Sequence, residues 1–205
     1  QTFTYTELAK RISKYEKMLD SPYFARIDFT EDGYDDTEKI YIGLFNLMDD
    51  ETHEIKVYDW RAPISGLYYR NEVGPVEYKA PAGLIRGIVS LKRQLKITKS
   101  KLEYFFDSNI NILDEMLMIA LSKNMSSKMK TIVETIQKQQ DLIIRDLNND
   151  LLVVQGVAGS GKTSVALHRI EFLMYQGLNL KLSANNIIVI SPNPLFSKYI
   201  SNVLP

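Results

Sequence analysis

Cysteine is absent from the 205 residues, and histidine occurs only twice, at His53 and His168. Disulfides and Cys/His zinc sites are therefore excluded, and a reducing, cytoplasmic setting is the expectation. No apolar run approaches the roughly 18 residues of a membrane helix, and the N-terminus lacks the charged and apolar regions of a signal peptide. No membrane partner is expected. Acidic residues also run out early, since Glu171 is the last of them. What is present is ordinary for a folding chain: 45% hydrophobic, 24% charged, 25 acidic against 25 basic residues. The zero net charge hides an asymmetry, because residues 1–83 hold 16 acidic against 10 basic side chains and residues 84–145 hold 6 against 11. Within the basic part, Lys92, Arg93, Lys96, Lys99 and Lys101 stand beside Tyr104, Phe105 and Phe106. They fit either a nucleic-acid face or the solvated side of strands.

The most specific stretch is Gly156-Val157-Ala158-Gly159-Ser160-Gly161-Lys162-Thr163, which fits the phosphate-loop pattern G-x-x-x-x-G-K-[ST] at every specified position. Its context fits as well. Leu151 to Val154 reads as a buried strand, and Thr163 onward as a helix with Ala166, Leu167, Ile170, Leu173 and Met174 on one face. Glycines at 156, 159 and 161 let successive backbone N–H groups turn toward phosphate oxygens, and the helix start adds its positive dipole end. Lys162 is the candidate for the β- and γ-phosphates, and the Thr163 hydroxyl is the candidate magnesium ligand. Together they are the candidate catalytic pair.

Upstream, Thr4 and Glu7 form a capping box and Phe3 with Leu8 a hydrophobic staple, so a helix is expected over residues 1–20, stopped before Pro22. Tyr5, Leu8, Ile12, Tyr15 and Leu19 recur at spacings of three and four, which suits a coiled-coil seam or a helix packed on the body. Residues 21–108 then read as a small, mainly antiparallel β domain. Strands are expected at Ala25 to Phe29, Lys39 to Leu47, Ile55 to Asp59, Leu67 to Tyr69, Val76 to Lys79, Ile85 to Ile97 and Leu102 to Phe106. Turns around Gly33 and from Asp49 to Glu54 make two hairpins, and the alternation Val89, Leu91, Arg93, Leu95, Ile97 buries one face. Asp59 ends its strand as a Walker B acid does, yet it lies far upstream of the loop. A structural contact to Arg61, with Trp60 in the core, is the expected use.

Residues 109–205 are expected to be a helical connector and the first part of a nucleotide fold. Helices are read over 109–124, with Asn109 as N-cap, and over Gln137 to Leu147, presenting Gln140, Ile143 and Ile144; Thr131 to Ile136 reads as extended. The phosphate-loop helix ends near Gln176-Gly177, and Ile187 to Ile190 reads as a second buried strand, reached by a right-handed parallel crossover. With Gln1 at the start and no carboxylate after Glu171, the chain is expected to be part of a larger ATPase that hydrolyses ATP little by itself.

The run QQDLII, then LLVVQGVAGSGKTSVALHRIEFLMY, then IIVISPN resembles the Q motif, motif I and motif Ia of superfamily-1 helicases of the UvrD/Rep type. SPYFARIDF at 21–29, YIGLFNL at 41–47, DWRAPIS at 59–65 and LKRQ at 91–94 resemble the HelD family, helicase-like ATPases that bind and recycle bacterial RNA polymerase. The resemblance implies an α+β part followed by a RecA-like, parallel-sheet P-loop domain, with ATP and Mg2+ as cofactors. Gln140 would read the adenine edge, residues 156–163 would hold the phosphates with Ser164 completing the cofactor-binding stretch, and Thr163 would take the magnesium. RNA polymerase would be the partner, with DNA or RNA as further candidates, and residues 5–19 would be the base of a coiled-coil arm. Ser164 stands where UvrD-type helicases carry Arg, and Ser191-Pro192-Asn193 where motif Ia carries threonines. Both departures fit a polymerase-directed motor better than DNA unwinding. A DNA helicase, a small-molecule kinase and a non-hydrolysing polymerase-binding module are the rival readings.

Overall fold

A computed structural model describes residues 5–107, 138–177 and 186–190. They fall into two compact units, one within Gln1–Ser126 and one within Ser127–Pro205. The first is built on a curled, antiparallel-rich sheet of seven strands: β1 (Ala25–Glu31), β2 (Glu38–Gly43), β3 (Leu47–Met48), β4 (Ile55–Asp59), β5 (Gly74–Ala80), β6 (Gly83–Thr98) and β7 (Lys101–Asp107). The spatial order is β3-β4-β2-β1-β6-β5, with β7 also paired to β6. All pairs are antiparallel except β2 with β4.

Period-two patterning explains the core. Ala25, Ile27 and Phe29 of β1 point to one side with their cross-strand neighbours Ile40 and Ile42, and all five are buried. Both expected hairpins form. The first turns through Gly33 at φ 91°, with Thr30 and Thr37 hydroxyls 2.8 Å apart at its base. In the second, the Asp49 carboxylate accepts the Glu51 and Thr52 N–H groups at 2.9 Å. Those backbone N–H groups, Thr52 first, hold the Asp49 carboxyl below its ordinary range.

β6 is the organising strand. Its first half pairs with β5, its last residues with β7, and its middle with β1. Bulges lie opposite Asp28/Phe29 and at Lys96/Ile97, which bend the strand and curl the sheet. The expected alternation holds from Gly87 to Ser90, gives way to half-buried Leu91, Lys92 and Arg93, and ends in Gln94, Leu95, Lys96 and Ile97, all buried. Both faces are covered there. Gly87 marks the tightest approach in the sheet: a Cβ would sit 2.2 Å from the Thr30 carbonyl oxygen and 2.7 Å from the Phe29 ring. Gly87→Ala is expected to cost about 1–3 kcal/mol through overpacking against backbone, measured by urea unfolding followed through Trp60 emission.

Two expectations change in this unit. Leu67 to Tyr69, read as a strand, lies in the short helix α2 (Gly66–Arg70), where Leu67, Tyr68 and Tyr69 are all buried. A short helix buried on all sides carries no polar face, so its apolar triplet is indistinguishable from a strand's. The expected strand from Lys39 to Leu47 is broken after Gly43, and the Asn46 side chain there accepts the Asp59 N–H at 2.6 Å.

The N-terminal helix, α1 (Tyr5–Asp20), ends ahead of Pro22 as expected. Phe3 and Thr4 of the expected cap lie outside the described residues, as do the helix expected at 109–124 and the segment Thr131 to Ile136. The C-terminal end of α1 is fixed by the β6–β7 turn, where Ser100 N–H bonds the Asp20 carbonyl and Ser100 Oγ the Leu19 carbonyl. Met18 is buried, whereas Tyr5, Ile12 and Leu19 are 89%, 58% and 69% exposed. Of the expected seam residues, Tyr5, Leu8, Ile12 and Leu19 are thus exposed, whereas Tyr15 is half-buried.

In the second unit the described elements are α3 (Lys138–Ile144) and α4 (Lys162–Gly177). The strands expected at Leu151 to Val154 and Ile187 to Ile190 are not formed: Val153 is 83% and Ile190 91% exposed, and neither segment has a ladder partner among the described residues. A strand exists only through its neighbours' hydrogen bonds, so an apolar run without them stays an irregular chain. A parallel-sheet P-loop domain is thus not what these residues display. No helix of the described residues is long and apolar enough to cross a membrane.

Candidate functional site

The loop from Gly156 to Gly161 turns on two left-handed glycines, Gly159 and Gly161, both at φ 82°. Side-chain-bearing residues rarely adopt that region, which is why the pattern places glycine there. Ser160 N–H reaches the Val157 carbonyl at 3.3 Å, and Val165 N–H the Gly161 carbonyl at 2.9 Å, so the loop runs directly into α4. Lys162 folds back across it. Its ammonium donates to the Gly156 and Val157 carbonyls at 2.7 and 2.6 Å and stands 3.5 Å from Ser160 Oγ. A Cβ at Gly156 would lie 2.6 Å from that same hydroxyl, so a side chain there would require the Ser160 hydroxyl to turn away. Ala158 lies exposed at the loop tip, while Thr163 and Ser164 sit half-buried in the first turn of α4.

Gln140 belongs to this place. A Cβ built on Gly161 would lie 3.2 Å from Gln140 Nε2, which sets the amide of α3 against the loop. A seven-residue helix is marginal by itself, so α3 depends on what α4 offers it. Arg169 supplies one contact, its Nη1 donating to the Ile143 carbonyl at 2.7 Å and approaching the Ile144 carbonyl at 3.4 Å. Asp141 and Arg145 supply another: they pair at 2.7 Å, 0% and 6% exposed, and the guanidinium lies 5.3 Å from the Phe172 ring centroid.

Of the face expected on α4, Leu167 is buried, Ile170, Leu173 and Met174 are half-buried and Ala166 is exposed; Val165, His168 and Phe172 are buried as well. His168 Nδ1 donates to the Ser164 carbonyl at 2.6 Å, and burial keeps its imidazole below the ordinary histidine range. It is a neutral packing group. His53 lies exposed in the second hairpin turn at φ 59°.

Of the predicted residues, the fold brings together Gln140, Gly156, Val157, Ser160, Gly161 and Lys162, with Thr163 and Ser164 adjoining. The set is cationic and glycine-opened, which fits a phosphate chain, and the nearby amide fits a hydrogen-bonding base. Arg169, Asp141 and Arg145, whose contacts tie α3 to α4, are not among the residues singled out from the sequence. The i,i+4 spacing of Asp141 and Arg145 was a readable signal, whereas Arg169 gave none.

The other unit settles two smaller expectations. Asp59 and Arg61 form a bidentate pair at 2.8 and 2.6 Å, and Trp60 is buried beside them, so this acid is structural. The basic stretch is not one solvated stripe. Lys92 donates to the Asn71 carbonyl at 2.8 Å, Arg93 pairs with Asp107, and Lys96 is buried. The Arg93 guanidinium holds the Asp107 carboxyl below its ordinary range.

The described residues thus define a mixed α/β protein with a curled antiparallel-rich sheet and a lysine-closed glycine loop. A family model described as DNA helicase IV HelD, N-terminal domain, matches residues 1–140, and the chain belongs to that family. The protein is therefore helicase-related. The matched span includes the whole sheet and ends at Gln140, ahead of the glycine loop. A comparison with curated proteins finds no match.

Proposed function

We propose that this chain is the nucleotide-binding, N-terminal part of an ATP-driven, helicase-like motor that binds bacterial RNA polymerase and releases it from nucleic acid in the cytoplasm. Family membership and the sequence resemblance support the motor; the observation that carries nucleotide binding is the placement of the Gln140 amide against Gly161. Gln140 lies sixteen positions before Gly156 in sequence, and its amide beside Gly161 supports reading the two as parts of one nucleotide site. Gln140 would bond the base edge, residues 156–164 would hold the phosphates, and Lys162 would exchange loop carbonyls for phosphate oxygens. Thr163 would hold a magnesium ion, which supplies neutralisation of the phosphate charge.

Calorimetric titration of the 205-residue chain with Mg-ATPγS tests this reading. Lys162→Ala is expected to weaken binding at least tenfold, or about 1.4 kcal/mol, and Gln140→Ala to weaken it by a similar factor. A folded wild-type chain that releases no heat would overturn it. A second reading, action on DNA, is favoured by the matched family's description as a DNA helicase. Single-stranded DNA binding that falls steeply with salt would select it, and polymerase capture insensitive to DNA would select the first.

A further inference from the structure

We infer that Arg169 is the positioning residue for base recognition: by clamping the C-terminal carbonyls of α3 to α4, it fixes the Gln140 amide beside the phosphate loop. The inference rests on the nucleotide-site reading above and adds Arg169, which lies in the stretch resembling motif I but outside the G-x-x-x-x-G-K-[ST] pattern that the phosphate reading uses. Besides the Arg145 guanidinium over the Phe172 ring, two attachments bear on where α3 lies. At one end, Gln140 Nε2 packs on Gly161; at the other, Arg169 Nη1 holds the Ile143 and Ile144 carbonyls at 2.7 and 3.4 Å.

Gly161 and Arg169 are eight residues apart on what is in effect one helix, about 12 Å at 1.5 Å per residue. Arg145 meets the face of the Phe172 ring, a contact that tolerates rolling and sliding, whereas the Arg169 bonds to successive carbonyls fix the rotation of α3 and its height above the loop. The clamp is also electrostatically sound, because helix C-terminal carbonyls carry partial negative charge and attract a guanidinium. Asp146, just beyond the helix end, feels the same cation. Its carboxyl is held below the ordinary range by the Asn149 amide first, then the Asn148 N–H, with the Arg169 charge adding to both.

A group that only held the fold together would weaken every ligand alike; a group that sets the amide weakens only ligands with a base. The test is calorimetry of the full 205-residue chain with Mg-ATPγS, Mg-GTPγS and Mg-tripolyphosphate. For Arg169→Ala we expect ATPγS binding to fall about tenfold, tripolyphosphate binding to stay within about twofold, and the ATPγS-over-GTPγS preference to collapse. Arg169→Ala combined with Gln140→Ala should lose no more than Gln140→Ala alone, because both remove one interaction. Arg169→Lys, which keeps a donor for one carbonyl, should fall between wild type and Arg169→Ala.

Equal losses for ATPγS and tripolyphosphate, or additive losses in the double variant, would overturn the assignment. So would loss of helical circular dichroism in both Arg169 variants, since the residue would then hold the fold. A wild-type chain that binds none of the three ligands would sink the nucleotide-site reading itself. One that prefers ATPγS undiminished in Arg169→Ala would sink only the positioning role.

Discussion

Replacing Asp141 with alanine is expected to destabilise the α3–α4 unit by about 3–5 kcal/mol, the cost of stranding one member of a buried ion pair. Its carboxylate is fully buried and holds Arg145 at 2.7 Å, and the guanidinium is only 6% exposed. Removing the carboxylate takes the buried counter-charge from that cation, and attraction to the Phe172 ring repays only a fraction of the loss. Because the chain has two units, a single melting curve would mix them. Hydrogen exchange is the cleaner measurement: amides of α3 and of the first turns of α4 should lose protection, while those of β1 and β2 keep theirs. Asp141→Leu combined with Arg145→Met should restore most of the protection, since an apolar pair of similar volume has no charge to strand. Less than about 1 kcal/mol from the single change would show that the pair does not hold the two helices together.

Trp60→Ala is expected to cost the sheet unit a similar amount, about 3–5 kcal/mol, by a different route. The ring is 2% exposed at the end of β4, and its backbone N–H bonds the Gly43 carbonyl at 2.9 Å. The turn that follows is tied down on both sides of it. Asp59 holds Arg61, its carbonyl accepts Ser65 Oγ at 2.7 Å, and the Ala62 N–H returns to it at 3.0 Å. Such a turn cannot collapse into the space the indole leaves, so most of the cavity should persist. Trp60 is the sole tryptophan, so its own emission reports wild-type unfolding and disappears in the variant. Far-UV circular dichroism in urea, with exchange of the Ile27, Ile40 and Ile42 amides, measures the loss. Trp60→Phe should recover most of it, and a loss below about 1 kcal/mol would remove the ring from the core.

Much of the first unit was legible because its rules are local. Alternation in ARIDFTE and in the first half of β6 locates strands, and Gly33 and the Asp49–Glu54 segment turn the chain where such residues do. The Asp59–Arg61 pair was readable for the same reason, two residues being close whatever the rest does. Leu67 to Tyr69 was misread because three apolar residues cannot declare a period. The burial of Lys96 was not legible either, since it depends on what covers the second face of β6.

At the candidate site, sequence alone determined the loop. Glycines at 159 and 161, a lysine and a helix start are needed together for a phosphate-sized turn, and they are adjacent in the chain, so pattern and geometry are nearly the same fact. What only the tertiary structure decided is that Val165, His168 and Phe172 of α4 are buried too, and that Gln140 stands at Gly161 with Arg169 bonded to the end of its helix. The partners of Arg169 are backbone carbonyls 25 and 26 residues away. Every residue carries such a carbonyl, so no side-chain pattern can announce which of them a folded chain will present to an arginine.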